Sequence, residues 1–148
     1  MANQEKTTIM VVDDDDMNLQ MAKVILESDM DVEVVLADSG YKCIDLLQKK
    51  LKVDLILLDI QMPRLDGIKT LEMIRAREDW KRIPVIFLTA AADRNTVIRA
   101  GMLGVDDYIK KPFIPADLVE RARKAMALKA LDNPDLAQLF ADLDGLGK

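Results

Sequence analysis

Charged and hydroxyl side chains recur where short apolar runs end. Ile9–Val12 is followed by Asp13-Asp14-Asp15-Asp16, Leu55–Leu58 by Asp59, Pro84–Leu88 by Thr89, and Val105–Ile109 by Lys110-Lys111-Pro112. Singly, each has an ordinary explanation: an Asp run is commonly a solvated turn with a helix cap, threonine suits a strand, and a lysine before proline is a common loop residue. Asp59 is harder to dismiss, because an unpaired carboxylate closing an apolar strand is costly to bury. Together these residues describe one chemistry. Carboxylates crowded in a crevice repel one another, a hard divalent cation relieves the repulsion, and an all-oxygen ligand set selects Mg²⁺ or Mn²⁺. Asp13, Asp14, Asp59, the Lys111 ammonium and a divalent cation sum to neutrality, which leaves room for an anionic phosphoryl group. A metal, a lysine and a hydroxyl around a carboxylate are the parts needed to place that group on the carboxylate.

Composition narrows the alternatives. The 148 residues include no histidine and one cysteine, Cys43, which excludes Ser-His-Asp and Cys-His nucleophile systems, His-ligated zinc and haem, and an internal disulfide. Acids outnumber bases by 26 to 21, a net charge of −5, which argues against direct nucleic-acid binding. A lone thiol suits a reducing compartment. Met1 to Thr8 is polar, the apolar run after it is too short for a signal peptide, and no stretch is long enough to span a bilayer. The expectation is a cytoplasmic protein with no membrane partner.

The elements that must position these groups alternate regularly. Apolar runs at Ile9–Val12, Val32–Ala37, Leu55–Leu58, Pro84–Leu88 and Val105–Ile109 are each followed by a segment with helical spacing. The first helix places Leu19, Ala22, Ile25 and Leu26 on one face, the second Ile44, Leu47 and Leu51, the third Ile68, Leu71, Ile74 and Ala76. Nearly continuous apolar strands alternating with amphipathic helices predict an α/β fold: a doubly wound, five-stranded parallel sheet with five helices, the third and fourth strands innermost. Asp15 or Asp16, Ser39, Asp66 and Asp93 are the expected helix caps, with Gly101 or Gly104 closing the fourth helix. Residues 1–130 form the expected domain. In the tail, 131–148, Asn133-Pro134 reads as a helix start, with Leu136, Leu139, Phe140 and Leu143 on one face. The tail could pack back on the body, begin a linker to another domain, or dock on a partner. In such a sheet ligands bind beyond the carboxyl ends of the strands, where the acids, Thr89 and Lys111 fall.

The stretches Ile9-Met10-Val11-Val12-Asp13-Asp14, Leu55 to Pro63 with Leu65-Asp66-Gly67, Pro84 to Ala90, and Asp107-Tyr108-Ile109-Lys110-Lys111-Pro112-Phe113 together resemble the receiver domains of bacterial two-component response regulators, chemotaxis-regulator-like, over about residues 7 to 130. The resemblance implies a flavodoxin-like fold with Asp59 as phosphoacceptor. It implies that Asp13 and Asp14 hold Mg²⁺, Asp14 directly and Asp13 largely through water, with the Gln61 backbone carbonyl as a further ligand. Thr89 would bind a phosphoryl oxygen, Lys111 would ion-pair with the phosphoryl group, and the Lys111-Pro112 peptide would be cis. The donor would be a phosphohistidine of a histidine kinase or histidine phosphotransfer protein, since this chain has no histidine of its own. Asp59, with an ordinary carboxyl pKa near 3.9, would be ionised at pH 7 without a general base.

On phosphorylation, the resemblance has Thr89 move and Tyr108 turn inward. The face of the fourth helix, fifth strand and fifth helix, with Ile98, Arg99, Tyr108, Arg121 and Lys124, would then change for a downstream target, an output domain or a second copy of the chain. Residues at the Gln61 and Ala91 positions would set the lifetime of the acyl phosphate. The chain is thus read as a signalling domain that promotes its own phosphorylation and dephosphorylation, not as an enzyme. Two alternatives remain open at this stage. Asp13-x-Asp15, Thr89 and Lys111 also resemble the first motifs of haloacid-dehalogenase-type phosphatases, with Asp13 as nucleophile, and a receiver-like module could bind partners without phosphorylation.

Overall fold

The computed structural model describes residues 6–90 and 94–130. The Asp93 cap, Ala91 and the tail helix through Leu136, Leu139, Phe140 and Leu143 lie outside the described residues. The elements alternate as β1 (Thr7–Val12), α1 (Asp16–Asp29), β2 (Val32–Ala37), α2 (Gly40–Gln48), β3 (Leu55–Asp59), α3 (Gly67–Arg75), β4 (Val85–Thr89), α4 (Arg94–Met102), β5 (Asp107–Lys110) and α5 (Pro115–Ala130). All ladders are parallel and the strand order is β2-β1-β3-β4-β5, so β3 and β4 are interior as expected. Strand order reverses between β1 and β3, which opens a crevice beyond their carboxyl ends.

Alternating residues of the inner strands feed two cores, which is why those strands read as continuous apolar runs. Met10, Val12, Ile56, Leu58 and Phe87 pack under α2 and α3. Ile9, Val11, Leu55, Leu57, Ile86 and Leu88 pack under α1 and α5. The helix faces follow the sequence pattern with three adjustments. Ile25 is only half-buried against its core. Ala76 is the exposed C-cap of α3 and not part of its buried face. Leu51 lies past the end of α2, because that helix closes in a Schellman motif, with Leu51 N–H on Leu46 O at 3.4 Å and Lys50 N–H on Leu47 O at 3.0 Å. Val105 is likewise outside β5: its N–H bonds back to Ala100 O at 3.2 Å, closing α4 beyond the positive-φ residue Gly104. Gly101 lies inside α4.

Asp15, Ser39 and Asp66 cap α1, α2 and α3 by accepting the backbone N–H groups of Met17, Lys42 and Lys69. α4 differs from its neighbours: Ala100 is its one fully buried residue, and polar contacts hold it, with Arg75 donating to the carbonyls of Leu103 and Gly104 and the Tyr108 hydroxyl donating to Val97 O at 2.9 Å. No helix among the described residues is long and apolar enough to cross a membrane.

Candidate functional site

Strand ends assemble the site. Asp13 follows β1, Asp59 is the last residue of β3, Thr89 the last of β4, and Lys111 follows β5. With Asp14, Asp15, Asn18 and Gln61 they line an open crevice of about 320 Å³. The β3 to α3 connection folds tightly behind Asp59: Gly67 N–H bonds to Ile60 O at 2.7 Å, and a Cβ on Gly67 would lie 2.3 Å from the carbonyl oxygen of Asp59. Only glycine allows the first turn of α3 to rest on the backbone that carries the carboxylate.

The electrostatics are severe. Asp13 is fully buried and Asp59 is 5% exposed, while Asp14 is open to solvent. Lys111 Nζ stands 2.6 Å from Asp13 Oδ2 and 3.3 Å from Asp59 Oδ1, so one ammonium serves two buried carboxylates. Each acid receives one further donor, Asp15 N–H on Asp13 Oδ1 at 2.9 Å and Gln61 N–H on Asp59 Oδ1 at 3.3 Å. Burial first and the Asp13 charge second push the Asp59 carboxyl up, Lys111 and Gln61 oppose the rise, and the net result is about 6. The expected value near 3.9 is therefore corrected upward, because the sequence does not reveal how deeply the strand end is buried. Burial alone would lower Lys111, but its contacts with Asp13 and Asp59 outweigh that and leave it raised.

A divalent cation fits this arrangement. Carboxylate oxygens of Asp13, Asp14 and Asp59 lie within 4.8 Å of one another. Asp13 Oδ2 is buried without a well-directed hydrogen bond despite its short contact with Lys111. A buried anionic oxygen left in that state is a ready ligand for a hard cation.

Most of the residues expected at the site converge here: Asp13, Asp14, Asp59, Gln61, Thr89 and Lys111. The Lys111-Pro112 peptide is cis, and Lys110 is exposed. Tyr108 is apart from the crevice, half-buried with its ring centroid 6.3 Å from that of Phe87. Asn18, in the first turn of α1, was not anticipated; its place three residues after the Asp15 cap is the signal that points it at the crevice. Cys43 is fully buried away from the crevice, and burial pushes its thiol up to about 12. The phosphatase alternative wants an acidic pair at a strand end after the lysine, and α5 is the one element described after β5.

Residues 9–123 match the family described as response regulator receiver domain. The chain is similar to the sensor protein GacS of Pseudomonas syringae pv. syringae, 37% identical over 129 residues, covering 85% of this chain and 14% of that protein. It is also similar to the DNA-binding response regulator MtrA of Mycobacterium leprae, 35% identical over 136 residues, covering 92% of this chain and 58% of that one. The chain therefore spans only part of the length of these relatives. A CheY-like response regulator receiver domain protein from Methanospirillum hungatei superposes with a TM-score of 0.80 at 26% identity, covering 87% of this chain and all of the other.

Proposed function

The chain belongs to the response regulator receiver family of two-component signalling, and from that premise we propose that Asp59 accepts a phosphoryl group from a phosphohistidine of a histidine kinase or phosphotransfer protein. The observation that carries the reading is the placement of Asp59 in an open crevice against Asp13, Asp14 and Lys111. A carboxylate oxygen of Asp59 forms a bond to phosphorus as the bond from phosphorus to the partner's imidazole nitrogen breaks, and the electron pair of that bond returns to the imidazole. With its carboxyl pushed up to about 6, Asp59 is still mostly ionised at pH 7 and needs no general base. Lys111 pairs with phosphoryl oxygens and the Thr89 hydroxyl donates to one of them. Asp14 directly, Asp13 largely through water, Asp59 and the Gln61 carbonyl would hold Mg²⁺, with Mn²⁺ as substitute. When bound, that ion supplies positive charge to the phosphoryl oxygens. Gln61 flanks the route of the water that later removes the group.

The signal leaves through α4, β5 and α5. α4 buries little and is tied down by the Tyr108 hydroxyl, so a Thr89 shift toward the phosphoryl group that draws Tyr108 inward releases the Val97 contact. Ile98, Arg99, Tyr108, Arg121 and Lys124 form the face presented to a target, an output domain or a second copy. The test is labelling by acetyl phosphate with Mg²⁺, read by mass spectrometry. The wild type gains one phosphoryl group and Asp59→Asn gains none. A label on Asp13 in Asp59→Asn would support the phosphatase alternative, and an unlabelled wild type that still binds its partner would support a phosphorylation-independent module.

A further inference from the structure

At the amino end of the sheet, opposite the acidic crevice, a groove of about 390 Å³ lies where α2 and α3 end. Its apolar side chains include buried Leu47, Val53 and Trp80, and the Schellman turn after α2 adds Leu51. Exposed Lys50, Lys52 and Arg77 border it, with Asp79 the one acid among its lining residues. The Arg77 guanidinium sits 4.5 Å above the Trp80 ring, so the apolar surface and the positive charge are in contact. In a chain of net charge −5, the lining of this groove carries three bases and one acid, Asp79, whose carboxylate lies 4.0 Å from Arg77.

The chain carries the complementary segment. Residues 131–148 contain Asp132, Asp135, Asp142 and Asp144 against Lys148 alone, together with Leu136, Leu139, Phe140 and Leu143 at spacings of three and four. The segment also starts at the right end of the molecule. α5 begins after Lys111 at the carboxyl edge and runs back along the sheet, and Arg123 donates to Asp29 O at the last turn of α1, so Ala130 arrives at the amino end. Residues 131–135 cover up to about 17 Å when extended, and the full segment far more, against a small-domain diameter of about 30 Å.

We propose that residues 131–148 dock in this groove, seating Leu139 and Phe140 against Leu51 and Trp80 while the aspartates of the segment face Lys50 and Arg77. The proposal is independent of phosphoryl transfer. Trp80 is the chain's one tryptophan, so a single indole N–H resonance reports on the groove. In the full chain, Phe140→Asp shifts that resonance and raises acrylamide quenching of Trp80 fluorescence, whereas Gln138→Ala, off the apolar stripe, changes neither. Lys50→Glu and raised salt shift the resonance in the same direction as Phe140→Asp, because both weaken the charge match. An indole signal identical in the wild type and Phe140→Asp overturns the docking. A shift that scales with protein concentration overturns it too, by assigning the groove to the tail of a second copy.

Discussion

At the amino end of the sheet, Asp54 accepts the Thr8 N–H at 2.9 Å and Asp106 accepts the Val85 N–H at 2.8 Å, each closing a backbone donor where a strand starts. At the carboxyl end, Asp13 and Asp59 are buried more deeply and share one ammonium, and burial with the Asp13 charge raises the energy of ionised Asp59. The residue type is the same and the sheet is the same; what differs is the set of groups each acid meets. An acid at the start of a strand takes up a backbone N–H in need of an acceptor, whereas Asp13 and Asp59 at the end each accept one N–H but must also share a single ammonium with a second buried carboxylate. At the carboxyl edge folding thus leaves the Asp59 charge poorly balanced. The same sheet places structural acids at one edge and the proposed phosphoryl site at the other.

The largest expected effect is at the unbalanced end. Asp59 holds its proton to about pH 6 in the folded chain, against 3.8 for the ordinary group. Between those values the folded state binds more proton than the unfolded one, so metal-free stability falls as pH rises through that window. Asp59→Asn removes the cost. In chelator at pH 7 the variant is more stable than the wild type by on the order of 2–3 kcal/mol in urea denaturation, and it loses that pH slope. Added Mg²⁺ stabilises the wild type more than Asp59→Asn and narrows the gap. A less stable variant in chelator would erase the contrast between the two edges.

The amino end responds with the opposite sign. Asp106→Ala strands the N–H of fully buried Val85 and removes the carboxylate 3.6 Å from Arg75. The expected loss is about 2 kcal/mol. Arg75, which also donates to the carbonyls of Ile83, Leu103 and Gly104, then holds the end of α4 less firmly, so amide exchange in the last turn of α4 quickens. Asp106→Asn keeps an acceptor for Val85 and loses less. Equal losses in the two variants would mean that the charge, not the hydrogen bond, matters at this edge.

The two edges were unequally legible. Strand and helix alternation was plain because both faces of the inner strands are buried, and the crevice acids stood out because each follows an apolar run. Asp54 and Asp106 precede such runs just as openly, yet their partners, Thr8 and Val85, lie 46 and 21 residues away, and nothing local announces those pairings. The same separation hid the perturbation of Asp59, which depends on Asp13 and on burial by neighbouring strands. Local hydrogen bonding also redrew two boundaries: Leu51 and Val105 continue the apolar pattern, but their N–H groups turn back to close α2 and α4.

Asp54→Ala is the smallest of the three stability effects and the finest test of the comparison. Asp54 is half-buried, and the strand it serves is held by other bonds, among them its own N–H on Thr8 O at 2.8 Å, which the substitution leaves in place. Water can reach the freed Thr8 N–H more readily than it reaches Val85, so the expected loss is about 1 kcal/mol, with phosphoryl labelling of Asp59 unchanged. If Asp54→Ala instead cost more than Asp106→Ala, burial of the freed donor would not be what ranks the amino-end acids. If it altered labelling, the two edges would be coupled through β1 and β3, and the separation of a structural edge from a reactive one would fail.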